Sequence, residues 1–198
     1  MPDSQLSDAA EYSRRLFERI IDWYKNADAK AQIILTLDGA FVTFLTTSIF
    51  RNPDDLSRIT HRFTSATWLF LIIMCVCLAG SILCALMCLW SRVFLSPKRD
   101  KVLLLEKKRI AQASASEGYS PSVMLFFRTI CWLDHDKFQE QLLGMDQEFA
   151  IRAFASQSYL LSRRVYVKHL LIDFGFALAG LGLIFFLAAG ISYLAASL

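Results

Sequence analysis

The chain has 198 residues, of which 55% are hydrophobic, and its mean hydropathy is +0.41. An ordinary soluble domain is less apolar, and here the excess is concentrated in three long runs, which is typical of membrane spans separated by polar segments. The formal net charge of +3 is too small to indicate a nucleic-acid partner. We therefore expect an all-α integral membrane protein with three transmembrane helices and a helical cytoplasmic portion.

The cysteines and histidines indicate neither a disulfide framework nor a metal site. Four of the five cysteines fall inside an apolar run, where they act first as small apolar residues. The three histidines are far apart and follow no ligand spacing. The sequence also shows no glycine-rich phosphate loop, catalytic triad or paired-carboxylate site. We therefore expect neither an enzyme nor a resident cofactor.

Residues 1–30 are predicted to form a cytoplasmic amphipathic helix that begins near Asp8. Asp8 and Glu11 have the spacing of a capping box, and apolar residues recur every three or four positions from Ala9 to Ala31. This segment is too polar for a cleaved signal peptide, so we expect the first apolar run to remain as an internal anchor.

Residues 31–90 are predicted to form a transmembrane hairpin. Its first span covers about 31–50 and its second about 66–90, and each reaches the ~20 residues that cross the hydrocarbon core. The first span contains one ionisable residue, Asp38, and the second contains no charged residue. The second span is consequently the strongest membrane signal in the chain.

Two polar features of the first span are candidate functional elements. Asp38 must face protein or water, or be protonated, because an ionised carboxylate costs ~2.5 to 3.5 kcal/mol inside a bilayer. The structural alternative is that it pairs with a basic residue such as Lys168 or hydrogen-bonds to a neighbouring Thr or Ser. Another face carries a polar stripe that either lines a polar path or, more commonly, mediates helix packing. The polar stripe consists of Gln32, Thr36, Gly39, Thr43 and Thr47.

Residues 91–169 are predicted to form a cytoplasmic helical region, and residues 170–198 a third transmembrane helix. An apolar stripe without proline predicts one long helix from Asp136 to Lys168 that continues into this span. The third span holds one acid, Asp173, near its start. Two basic clusters in the cytoplasmic region attract anionic headgroups and phosphate-bearing ligands alike. The clusters are Lys107, Lys108 and Arg109, and Arg163 and Arg164 with Lys168.

Basic residues predict the topology. The N-terminal segment carries five Lys and Arg, the long second loop thirteen, the short first loop three and the C-terminal tail none. The positive-inside rule places the N-terminus and the long loop in the cytoplasm, and the short loop and the C-terminus outward. Small residues at three- and four-residue spacing in the second and third spans predict close helix packing, within one copy or between copies.

The residues that lead into the first span carry a family resemblance. The stretch from Trp23 to Ala40 contains an Asp-x-Lys-Ala step at residues 28–31, directly before the first membrane helix. It resembles PycTM, the membrane effectors of the bacterial anti-phage system Pycsar, which share the membrane hairpin, the cytoplasmic helical insert and the late third span. Asp28 and Lys30 match the family step, and either bind ligand or orient the entry to the span. As an i, i+2 pair they do not face each other on a helix.

The resemblance implies a function that composition does not give. It implies that a partner cyclase makes cyclic CMP or cyclic UMP after infection and that the effector responds in the bacterial inner membrane. Membrane integrity is then lost, and the infected cell stops growing or dies. We expect a homo-oligomer in contact with membrane lipid, with any nucleotide bound by the helical cytoplasmic portion. The alternatives are a small constitutive channel or transporter subunit, and a membrane anchor that recruits a soluble partner.

Overall fold

The computed structural model describes residues 3–50, 60, 63–90, 119–121, 124–125 and 127–197. This part of the chain contains four helices of nine residues or more, one four-residue helical turn and no strand. The helices are α1 (Asp3–Phe50), α2 (Ser65–Leu89), α3 (Phe127–Ile130), α4 (His135–Leu143) and α5 (Gln147–Ser197). The prediction of an all-α chain is confirmed.

Three helices are long and apolar enough to cross a membrane, judged by length and composition. The candidate spans lie within Gln5–Thr47, Ser65–Leu89 and Gln147–Ala196. They correspond to the three apolar runs of the sequence, so the prediction of three spans is confirmed. α2 begins at the N-cap Thr64, whose hydroxyl accepts a hydrogen bond from the backbone N–H of Thr67 at 3.3 Å.

The first polar segment and the first span form one helix. α1 begins at Asp3 and continues without interruption to Phe50, so the predicted helix start near Asp8 is wrong. No glycine or proline lies between Asp3 and Asp8, and nothing there opposes a helical backbone. Glu11 accepts a hydrogen bond from Arg15 one turn later, as expected for a residue in a helix interior.

The helix predicted from Asp136 to Lys168 is divided, so its continuous form is wrong. Gly144 caps α4, and its N–H donates to the carbonyl of Glu140 at 3.1 Å. The Asp146 carboxylate then accepts from the N–H of Phe149 at 2.7 Å and caps the start of α5. Glycine is a poor helix former by about 1 kcal/mol, which favours a stop at this point. α5 itself continues through the third span, as predicted.

The chain divides into two compact units, and α1 and α5 contribute residues to both. The polar unit comprises Met1–Tyr24 and Ser91–Tyr166, and the span unit comprises Lys25–Trp90 and Val167–Leu198. Each unit has its own buried cluster, and the two clusters are built from different residue types.

Tyr119 organises the buried cluster of the polar unit. Its ring is 4% exposed, and its hydroxyl accepts a hydrogen bond from the backbone N–H of Asp134 at 2.9 Å. The Gln141 amide of α4 accepts from the Tyr119 N–H at 2.6 Å and donates to the Tyr119 carbonyl at 2.7 Å. A buried backbone that lacks helix or sheet partners requires such side-chain partners, and Gln141 supplies both. The cluster therefore attaches the segment at residue 119 to α4.

Small residues bring the three long helices together in the span unit. Its buried cluster contains residues of α1, α2 and α5, each no more than 1% exposed: Ala27, Ala31, Ile34, Ala85, Cys88 and Ile172. A Cβ atom placed on Gly175 of α5 would lie 3.1 Å from Ile34 Cδ1 and 3.6 Å from Cys84 Cβ. The Ser81 hydroxyl of α2 donates to the Gly175 carbonyl at 3.0 Å. The small residues thus permit close packing within one copy, as in other membrane helices.

Candidate functional site

An ion pair joins α1 to α5 near the first residues of the span unit. Lys168 Nζ contacts Asp28 Oδ1, and the two side chains are 13% and 31% exposed, respectively. Ala27 and Ala31, on either side of Asp28 in α1, have no exposed surface. The pair therefore lies at the edge of the dry helix contact, where water screens it less than a surface pair.

The other ion pairs of the described chain differ in kind. They join Arg14 to Glu18, Arg15 to Glu11 and Arg152 to Glu148, each across one turn of a helix. More than half of every one of these side chains is exposed, and such pairs contribute only ~0–1 kcal/mol. The contact between Asp28 and Lys168 instead connects residues 140 positions apart.

Asp28 and Lys30 of the family step have different surroundings. Asp28 contacts Lys168 of α5, whereas Lys30 is exposed. One structural alternative from the sequence was that Asp38, ten residues further along α1, pairs with a basic residue such as Lys168; the structure instead pairs Lys168 with Asp28. No spacing rule relates positions 28 and 168, so only the folded chain identifies this partner.

Asp38 is buried in the span unit. It is 4% exposed, and its Oδ2 atom has no hydrogen-bond partner among the residues that the structure describes. Buried polar groups nearly always have a partner, and an exception calls for a physical explanation. The structure thus places Asp38 inside the helix contact. No described Thr or Ser bonds to its Oδ2 atom, although the structural alternative requires such a partner.

The polar stripe lies on an exposed face of α1. Thr36 donates its hydroxyl hydrogen to the Gln32 carbonyl at 2.9 Å, and Thr43 donates to the Gly39 carbonyl at 2.8 Å. Thr47 donates in the same way to Thr43 at 2.9 Å. The threonine hydroxyls are therefore satisfied within their own helix, and this face is compatible with lipid, with a neighbouring copy or with water.

The structure describes only one of the two basic clusters. Arg163 and Arg164 lie at exposed positions of α5, on the side of the helix that faces away from the buried Val165. Lys107, Lys108 and Arg109 lie outside the described residues. That the two clusters attract anionic headgroups and phosphate-bearing ligands stays a prediction.

Three hydroxyls meet at the other end of the span unit, a feature that the sequence reasoning missed. Thr67 Oγ1 lies 2.9 Å from Ser192 Oγ and 2.9 Å from Thr64 Oγ1. Thr67 is only 1% exposed, so this network satisfies a buried hydroxyl while it connects α2 to α5. Thr64 before an apolar run is a sequence signal for an N-cap, but nothing local relates it to Ser192.

An apolar cavity of about 400 Å³ lies next to this hydroxyl network. Apart from Thr67 and Tyr193, its lining side chains are apolar, and they include Phe63, Leu71 and Phe186. An anionic ligand requires charged or N–H donors, which are absent among the described residues of this lining, so these residues do not suit a nucleotide. Within the described ranges, no group of three or more His, Cys, Asp or Glu is arranged to hold a metal ion.

Three long apolar helices with a polar helical unit define the class of this protein, a helical membrane protein with three candidate spans. A family model described as PycTM, the Pycsar effector protein domain, matches residues 12–196. The chain therefore belongs to the PycTM family, which is one of membrane effectors rather than of enzyme domains, and the resemblance seen in the sequence is confirmed. No curated protein and no solved structure matches the chain.

Proposed function

We propose that this chain is an anti-phage effector that responds to cyclic CMP or cyclic UMP from a partner cyclase and then disrupts the bacterial inner membrane. The family match over residues 12–196 is the observation that carries the proposal. The three candidate spans support the membrane as the place of action. Growth arrest or death of the infected cell follows from the loss of the membrane barrier.

The polar unit is the proposed receiver of the nucleotide. A cyclic nucleotide carries one anionic phosphodiester, which requires basic or N–H donors. The described lining of the cavity in the span unit contains no such donor, whereas Arg163 and Arg164 lie in the polar unit on α5. The sequence also predicts Lys107, Lys108 and Arg109 in the cytoplasmic region, where they are further candidate donors. With the N-terminus inside, as the basic residues predict, this unit faces the cytoplasm, where a cyclase product accumulates.

The span unit is the proposed source of the leak. We take the described arrangement as the closed one, because the α1 contact with α2 and α5 is dry and Asp28 is paired with Lys168. The polar stripe supports an oligomer, since its exposed residues extend from Gln32 to Thr47 over about 22 Å at the helical rise. Several copies that place this face around an axis would line a polar path.

Dye leakage from liposomes that contain the purified full-length protein tests the proposal. Cyclic CMP, cyclic UMP, cyclic AMP and no nucleotide are compared in parallel. We expect leakage only with one of the cyclic pyrimidine nucleotides. Equal leakage in all four samples would instead identify a constitutive pore, and the absence of leakage in all four would favour a membrane anchor.

A further inference from the structure

The apolar cavity between α2 and α5 opens toward the surroundings of the span unit. Its volume is about 400 Å³, and it is open rather than enclosed. Three of its lining residues, Leu187, Ile191 and Leu194, follow one another along one face of α5 and are 64%, 68% and 61% exposed. This part of α5 belongs to a candidate membrane span, so these side chains face hydrocarbon in a bilayer. The opening is therefore continuous with the lipid-facing surface of the helix.

The chemistry of the lining favours a hydrocarbon occupant over water. The described lining residues carry no charge, and only Thr67 and Tyr193 among them bear a polar side-chain atom. A bound water requires two to four polar partners, which such a lining does not supply. Side chains that face an unfilled gap lose their dispersion contacts on that side. A hydrocarbon chain restores those contacts, and the bilayer supplies such chains at the opening.

The length of the cavity suits one chain of one lipid leaflet. Its lining on α5 extends from Phe186 to Leu194, which is about 12 Å at the helical rise. One leaflet contributes about half of the ~30 Å hydrocarbon core. The Phe63 ring meets the Tyr193 ring edge-on, with centroids 5.8 Å apart, and so joins the two walls of the cavity. The cavity thus occupies one leaflet rather than the whole span.

The hydroxyl network gives the cavity a polar end. Thr67 lines the cavity and lies 2.9 Å from both Thr64 Oγ1 and Ser192 Oγ. Thr64 is exposed at the N-cap of α2, where the helix leaves the apolar run and meets the interfacial region of a bilayer. The ester groups of a phospholipid lie in the same region and accept hydrogen bonds from hydroxyls. An apolar side chain of a second copy would fill the apolar walls but would offer this polar end no acceptor.

We propose that the cavity binds one acyl chain of a membrane phospholipid, with the ester group at the hydroxyls of Thr64, Thr67 and Ser192. The bound chain completes the packing between α2 and α5 at this end of the span unit. The topology that the basic residues predict assigns this end to the outward leaflet. The site requires no nucleotide, so it is independent of the proposed function.

Photolabelling in liposomes tests the inference. The full-length protein is reconstituted without nucleotide into phosphatidylethanolamine and phosphatidylglycerol that contain a small fraction of phosphatidylcholine with a diazirine in one acyl chain. After irradiation, the labelled residues are mapped by mass spectrometry. We expect several-fold more label at Leu187 and Ile191 than at Leu69 and Ile72, which are exposed apolar residues of α2 outside the described lining. Equal labelling of the two sets in the wild type would overturn the inference.

Gly190→Leu and Gly180→Leu form a matched pair of variants on α5. A Cβ atom at either glycine meets nothing within 4 Å, but only Gly190 belongs to the described lining of the cavity. We expect Gly190→Leu to lower the excess label at Leu187 and Ile191 several-fold, and Gly180→Leu to leave it unchanged. An excess that survives in Gly190→Leu would overturn the inference. An excess that disappears as the protein-to-lipid ratio rises would do the same, because it would assign the cavity to a second copy.

Discussion

Two aspartates of α1, ten residues apart, have opposite surroundings in the span unit. Asp28 lies at the edge of the dry helix contact, is 31% exposed at its side chain, and contacts Lys168 of α5. Asp38 lies inside the contact, is 4% exposed, and has no partner for Oδ2 within the described part of the chain. The same side chain thus strengthens the α1–α5 contact at one depth and opposes it at another. The difference arises because basic residues occur only outside the apolar runs.

Reversing the charge of Asp28 is expected to have the largest effect. Asp28→Lys places two ammonium groups together in a partly dry site, which should destabilise the protein by about 2 kcal/mol. In liposomes we expect leakage without nucleotide, because the closed contact loses its α1–α5 ion pair. Thermal unfolding in detergent and dye leakage measure the two effects.

The double variant Asp28→Lys with Lys168→Asp is compared with Asp28→Lys alone. It restores opposite charges, so it should recover most of the stability. Glu148→Lys in the exposed Arg152 pair is the control and should change stability by less than about 1 kcal/mol. If the double exchange is no more stable than Asp28→Lys alone, the ion pair does not hold α1 against α5.

Enlarging Gly175 tests the α1–α5 contact at Ile34, which lies between Asp28 and Asp38 along α1. Gly175→Leu forces atoms toward Ile34 and Cys84 and should destabilise the protein by about 1–3 kcal/mol, the usual cost of overpacking. Gly180→Leu on the same helix is the control, because a Cβ there meets nothing within 4 Å. Urea or thermal unfolding distinguishes them, and equal effects would show that α5 does not approach α1 at Gly175.

Neutralising Asp38 should stabilise the protein. Asp38→Asn keeps the shape of the side chain while it removes the buried carboxyl group, so we expect a gain of about 1 kcal/mol. Asp173→Asn, at an exposed site, should stay within about 0.5 kcal/mol of the wild type. Both melting temperatures are measured without nucleotide. A clear loss of stability in Asp38→Asn would mean that the carboxylate contributes to the closed packing after all.

The smallest effect on stability is expected for the polar stripe. Replacing Thr36, Thr43 and Thr47 together by Val removes hydroxyls that bond only within α1, so stability should change by no more than about 0.5 kcal/mol. If this face lines the path, the rate of nucleotide-dependent dye leakage should fall several-fold. A triple variant that leaks at the wild-type rate would assign the stripe to helix packing.

Local properties of the sequence were sufficient for the helices and the spans. A window of about 20 apolar residues predicts a membrane helix wherever it occurs, and three such windows are present. The continuation of α5 into the third span followed from the absence of proline. The helix interruption at Gly144 was missed, because the apolar spacing continues across it while the caps at Gly144 and Asp146 end one helix and begin the next.

By itself, the sequence determined the helical class, the three candidate spans, the family step at Asp28 and the presence of one acid within the first span. Only the tertiary structure decided that Lys168 contacts Asp28 rather than Asp38, and that Asp38 faces the helix contact while the polar stripe faces outward. The physical reason is that hydropathy and helical period depend on neighbours along the chain. The partner of a side chain depends instead on how each helix is rotated and shifted against the others, and close packing of all three helices sets that rotation.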